Sequence, residues 1–156
     1  MLPYIKEFLG TALLILIGNS CIASAVLEKT SMKGAGSVQT TMGYGLAVLI
    51  PAYIFGPDIS FNPALTIALA ADGTFPWRMV PGYILAQTAG AFVGAVLVYV
   101  MYRDHYNATE DPGAILATFA ASPAIPNFKQ NVISEMIGTI VLVLAEKRMG
   151  NVPGLT

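Results

Sequence analysis

Asn62, Pro63 and Ala64 are the residues whose types and spacing could act on a solute. They head NPALTIALA, the start of an almost wholly apolar run over residues 62–71. Asn is a strong helix N-cap, and Pro fits the first helical position, where its missing donor costs nothing. A helix starting there aims unpaired backbone N–H groups and a partial positive charge at its tip. The Asn62 amide adds N–H donors of its own. Such a tip holds polar neutral molecules and raises the barrier to cations and protons. The run lasts only about two to three turns, half of what a bilayer requires. Asn-Pro also occurs in ordinary turns, and a re-entrant cap with no role in permeation is the plainer reading of the motif alone. Its place after a broken apolar span favours the working tip.

Two carboxylates give the next signal. Glu7 opens EFLGTALLILIG at residues 7–18, and Glu135 opens EMIGTIVLVLAE at residues 135–146, 128 residues later. Glu, Gly, Thr and two Leu coincide. Apolar similarity is common among membrane helices, whereas a repeated Glu is costly there. Glu7 is therefore read as buried and structural rather than solvated at the start of a span.

No arrangement in the chain suits catalysis. It contains no HExxH, GxSxG, Walker loop or GxGxxG. One histidine, His105, and one cysteine, Cys21, offer no metal site and no internal disulfide. No enzyme activity, metal or cofactor is expected. His105 reads as an exposed loop residue and Cys21 as a small packing residue. Tyr44 and Tyr53 read as core packing rather than pore lining.

The elements that must position these residues follow from composition. The chain is 55% hydrophobic and 11% charged, against about 25% charged in an average soluble domain. So little charge points to an all-α membrane protein. A net charge of -1 argues against a nucleic-acid partner. Residues 8–27 form a first span, longer than a usual signal core. It is expected to be retained, although Ala23, Ser24 and Ala25 imitate a cleavage site. Residues 28–38 read as a polar loop. Residues 42–55 form a second span, with Pro51 expected to kink it. Gly56, Pro57 and Asp58 break it, and the half-length run follows. Asp72, Gly73 and Thr74 turn the chain. Trp77 and Arg78 read as an interfacial anchor ahead of a third span over residues 80–101, where Gly90 and Gly94 form a small-xxx-small face. Tyr99, Tyr102 and Tyr106 fit an aromatic belt at its far end. Residues 103–127 read as a long polar loop. The last apolar run, residues 132–145, is short for a span. Lys6, Arg78, Lys147 and Arg148 fall on one side of the membrane, and Lys29, Lys33, Arg103 and Lys129 on the other. That balance leaves orientation unset.

Three full crossings separate the two Glu-led copies, so the second runs opposite to the first: an inverted repeat. Residues 1–127 read as the first repeat and residues 128–156 as the incomplete start of the second. The counterpart of Asn62 is expected near position 190, beyond Thr156.

These pieces resemble the aquaporin and glycerol-facilitator family, the major intrinsic proteins. The resemblance is carried by EFLGT at residues 7–11, NPALTIALA at 62–70, YILAQTAGAFVGA at 83–95 and EMIGT at 135–139. DPGAILATFA at residues 111–120 looks more like the bacterial glycerol facilitators than strict water channels. The resemblance implies a bundle of six spanning helices and two half-helices that meet at their NPA motifs, with four protomers each carrying a pore. It implies that Asn62 donates to water or glycerol and that the carbonyls of Ile59, Ser60 and Phe61 form part of a polar ladder. It places Met42 at the selectivity constriction. It makes Glu7 and Glu135 buried braces of the re-entrant loops, and Gln87 a polar helix-packing residue. Pro57 and Asp58 stand where the family usually has Ser-Gly. Residues 150–156 resemble the loop that follows a complete fourth helix, so that helix is expected to be curtailed.

The expected function is a passive channel for glycerol, water and other small neutral solutes, in the cell membrane and as a homotetramer embedded in the lipid bilayer. A non-conducting membrane fragment is the first alternative. A secondary transporter with a broken-helix site is the second, disfavoured because no span carries a central charge.

Overall fold

A computed structural model describes residues 2–56 and 59–149. Those residues are helical wherever they are regular. The order is α1 (Leu2–Val26), α2 (Gly36–Phe55), α3 (Pro63–Ala71), a 3-10 turn (Trp77–Met79), α4 (Val80–Met101), α5 (Arg103–Ala108), α6 (Pro112–Ala117) and α7 (Phe128–Met149). Four stretches are long and apolar enough to cross a membrane: Leu2–Val26, Gly36–Phe55, Trp77–Met101 and Phe128–Ala145. The chain is therefore an all-α membrane protein with several spans. The nine residues of α3 reach only about 14 Å, too short to cross.

Small residues let the spans approach. A Cβ added at Gly90 would collide with the carbonyl oxygen of Phe8, and one at Gly94 with that of Ala12. Backbone of α1 thus lies directly on α4, the packing that lipid-embedded helices favour. Between α1 and α2, Gly43 accommodates Cys21, and Gly18 lies under the Tyr44 ring. The Tyr44 hydroxyl donates to Asn19 Oδ1 at 2.6 Å, satisfying a buried polar group inside a span. At one end, Ala23, Leu27, Val98 and Tyr106 close a small core. At the other, Tyr83 meets Tyr4 and Phe75 edge to face, with centroids 5.6 and 4.7 Å apart.

Several expectations need correction. Residues 103–127 are not one loop, because α5 and α6 lie within them. Their short apolar groups fold back onto the end of α1. Tyr106 is buried rather than part of an exposed belt. Its hydroxyl lies 2.8 Å from Thr118 Oγ1 and its ring stacks on Phe119. That burial raises the phenol pKa, and the Thr118 hydrogen bond partly opposes the shift. His105 is half-buried on α5, with Nδ1 2.9 Å from the Glu28 carbonyl oxygen. A carbonyl only accepts, so Nδ1 carries the proton. The Glu28 N–H donates to Thr109 Oγ1 at 2.9 Å, tying the same joint. Helix α2 begins at Gly36, inside the expected loop, and α7 begins at Phe128 and runs 22 residues rather than 14. Tyr53 is 90% exposed, because no described element covers its face of α2. Pro51 is buried inside α2. Pro57, Asp58 and residues 150–156 lie outside the described residues.

The close approach of α1 and α4 gives a direct test. Gly90→Ala should destabilise the protein by about 1–3 kcal/mol, because the methyl meets fixed backbone. Gly45→Ala, whose methyl meets nothing within 4 Å, should be neutral or stabilising by up to about 1 kcal/mol through helix propensity. Thermal unfolding in detergent compares the two.

Candidate functional site

The site is built around the start of α3. Asn62 is extended, with φ −143° and ψ 120°, and Pro63 takes the first helical position. The Ala64 N–H donates to Asn62 Oδ1 at 2.8 Å, so the side chain caps its own helix. With Oδ1 committed, the Nδ2 hydrogens face away from the cap. Asn62 is half-buried. Its carbonyl accepts from the Thr66 N–H at 2.9 Å and from Thr66 Oγ1 at 3.0 Å.

The residues before it are held by one carboxylate. Glu7 is fully buried on α1. Its Oε1 accepts the Ser60 N–H at 2.7 Å, and its Oε2 accepts the Phe61 N–H at 3.0 Å. Gln87 Nε2 on α4 donates to the same Oε2 at 2.8 Å. Three N–H donors replace the water that a buried carboxylate loses. Gln87 Nε2 also lies 3.0 Å from Ser60 Oγ and 2.9 Å from Thr66 Oγ1. Exchanging the amide nitrogen and oxygen would set an oxygen against the carboxylate, so the Gln87 orientation is fixed.

Phe61 adopts φ 52°, the left-handed region. A non-glycine residue there costs roughly 1–2 kcal/mol. Two contacts hold it: the N–H bond to Glu7, and a ring seated where Gly10 has no side chain, since a Cβ at Gly10 would collide with that ring. The carbonyls of Ile59, Ser60 and Phe61 accept no hydrogen bond from the described residues.

Ile59, Ser60, Phe61, Asn62 and Pro63 line a cleft of about 530 Å³. Leu14, Ile15, Val48 and Leu142 supply apolar wall to it. No described residue lining it is charged. Thr11 Oγ1 and Gln87 Oε1, on two other lining residues, find no partner among the described residues. The described lining therefore offers donors, acceptors and an apolar face without a countercharge. That chemistry suits a neutral hydroxylated molecule. Among the described residues, no cluster of His, Cys, Asp and Glu could hold a metal ion.

Other expected site residues are not gathered here. Met42 is 65% exposed and lies off the cleft, on a face of α2 that no described element covers. Ala64 is exposed beside the tip. Glu135, expected to be buried, is exposed on α7, whose contact with the bundle runs through α3. It lines a separate groove with Phe128, Met136 and Ile140. Thr66 and the Ser60 hydroxyl were missed by sequence reasoning. The available signal was a lone hydroxyl four residues past an N-cap, within an apolar run.

Residues 2–147 match the family described as Major intrinsic protein. The chain is 45% identical over 152 residues to a probable glycerol uptake facilitator protein of Thermotoga maritima, covering 96% of this chain and 65% of that protein. It is 47% identical over 146 residues to a glycerol uptake facilitator protein of Streptococcus pneumoniae, covering 92% and 62%. It is 44% identical over 152 residues to one of Bacillus subtilis, covering 96% and 56%. The chain thus spans less than two thirds of the length of these relatives.

The Glu7 bonds predict a local phenotype. Glu7→Gln sets one amide N–H group against donors that need an acceptor, which should cost roughly 1–3 kcal/mol. Hydrogen exchange should quicken at the Ser60 and Phe61 amides while the α1–α4 contact stays protected. Unchanged exchange at both amides would contradict the brace.

Proposed function

The chain belongs to the major intrinsic protein family, and on that premise we propose that it supplies the first half of a passive channel for glycerol, water and other small neutral solutes. The observation that carries this reading is the Asn62 tip, where Oδ1 is taken by the Ala64 N–H and the Nδ2 donors are left to a solute. A solute hydroxyl accepts from Nδ2 and donates to the carbonyls of Ile59, Ser60 or Phe61. Hydration lost on entry is replaced without any charge, and the apolar wall takes the carbon backbone. An ion finds no countercharge among the described residues of the cleft, which leave its desolvation cost uncompensated. The names of the relatives, which denote glycerol uptake, support the solute class. The family is one of channels, and no catalysis is assigned.

In this reading residues 1–127 form the first repeat, and residues 128–156 begin an inverted second one. Met42, Ala64 and Glu135 take their roles against that second repeat. Met42 stands at the constriction, Ala64 at the meeting of two tips, and Glu135 braces a second loop as Glu7 braces the first. The channel sits in the cell membrane as a homotetramer, with one pore per protomer.

A second reading is favoured by the exposure of Met42 and of most described side chains on α7. In that reading the described residues leave one side of the cleft uncovered, and the chain inserts without conducting.

Stopped-flow light scattering on liposomes separates the readings. Glycerol permeability above that of empty liposomes, reduced about tenfold or more by Asn62→Leu, is the outcome expected for a channel, since the leucine removes the donors. Permeability equal to empty liposomes rules out conduction by this chain. Saturable uptake driven by a proton gradient would replace the channel by a transporter.

A further inference from the structure

We propose that Thr66 is a positioning residue of the tip and sets how the site discriminates a polyol from water. The discrimination rests on the channel reading above; the positioning does not. Thr66 is 1% exposed, on the inner face of α3. Its hydroxyl donates to the Asn62 carbonyl at 3.0 Å, and its N–H donates to the same oxygen at 2.9 Å. Both lone pairs of that oxygen are thereby used, so the Asn62 carbonyl is closed to a solute. The run of acceptors ends at Phe61, and Asn62 presents donors alone.

The same hydroxyl oxygen lies 2.6 Å from Ser60 Oγ and 2.9 Å from Gln87 Nε2. Its own proton goes to Asn62, so Ser60 and Gln87 are its donors. One hydroxyl thus fixes the loop that carries the acceptors, the residue that carries the donor, and α4 behind both. The spacing between the donor and the acceptor carbonyls passes through Thr66.

That spacing matters unequally to different solutes. Water carries one oxygen and reorients at each step. A polyol carries several hydroxyls at separations fixed by its carbon chain, so a shift of the carbonyls against the donor unmakes several bonds together. Loss of the Thr66 hydroxyl should therefore penalise glycerol more than water.

The experiment compares Thr66→Val, which removes the hydroxyl at nearly the same shape, with Thr66→Ser, which retains it. The full chain is reconstituted in liposomes. Glycerol and water permeabilities are measured together with hydrogen exchange at the Ser60 amide. Thr66→Val should lower the glycerol-to-water ratio about threefold to tenfold, the worth of roughly one net hydrogen bond, and speed exchange at Ser60. Thr66→Ser should restore both. A proportional fall in both permeabilities with the ratio kept overturns the discrimination and leaves Thr66 a folding residue. If the unmodified chain passes neither solute, the channel reading fails, and exchange alone decides the positioning. Unchanged Ser60 exchange in Thr66→Val overturns it.

Discussion

A carboxylate buried in a membrane span must find donors, and Glu7 finds three N–H groups. Unpaired, it would be untenable in an apolar interior. Ser60 and Phe61 of the loop face the mirror problem, because backbone N–H groups inside a membrane need acceptors. Each solves the other. The loop has to fold back against α1, and α1 has to lie on α4 so that Gln87 can reach the same carboxylate. The glycines at positions 90 and 94 make that approach geometrically open.

The consequences run outward from this contact. With the loop fixed, α3 starts within the bundle, against α1 and α4. Gln87 lies ten residues past Trp77 in the span Trp77–Met101, a rise of roughly 15 Å. That is about half of a hydrocarbon core near 30 Å thick. Gln87, which bonds the carboxylate that holds the loop, thus stands near the middle of that span. Phe61 holds a strained backbone there, stabilised by Glu7 and by the space beside Gly10. Strain that persists at a cleft wall is strain the surroundings overdetermine. The result is a wall of donors and acceptors on which no described residue carries a charge.

Much of this was legible in the residues. Long apolar runs disclosed the spans, because the bilayer demands length and hydropathy together. Asn62 and Pro63 disclosed the start of α3, because capping is local chemistry. Other features were hidden for identifiable reasons. Helices α5 and α6 are six residues each, too short for a periodic signal, and they owe their form to packing under Tyr106. Thr66 reads as one more residue of an apolar helix, since its partners are the cap, a loop residue six positions earlier and Gln87 on α4. Met42 and Glu135 were placed by resemblance, and that resemblance describes a larger assembly than the described residues enclose. Tyr53 and Glu135 show that burial inside a membrane bundle is decided by neighbours and not by residue type.

Glu7 and Gln87 together would anchor the Asn62 tip at mid-membrane depth. The most direct measurement of that anchoring is the depth of a spin label at Ala64→Cys, an exposed position beside the tip, in liposomes. Collision with oxygen against collision with a water-soluble nickel complex reports that depth. An anchored tip puts the label roughly 15 Å below the headgroups. A label at the headgroup level would contradict it.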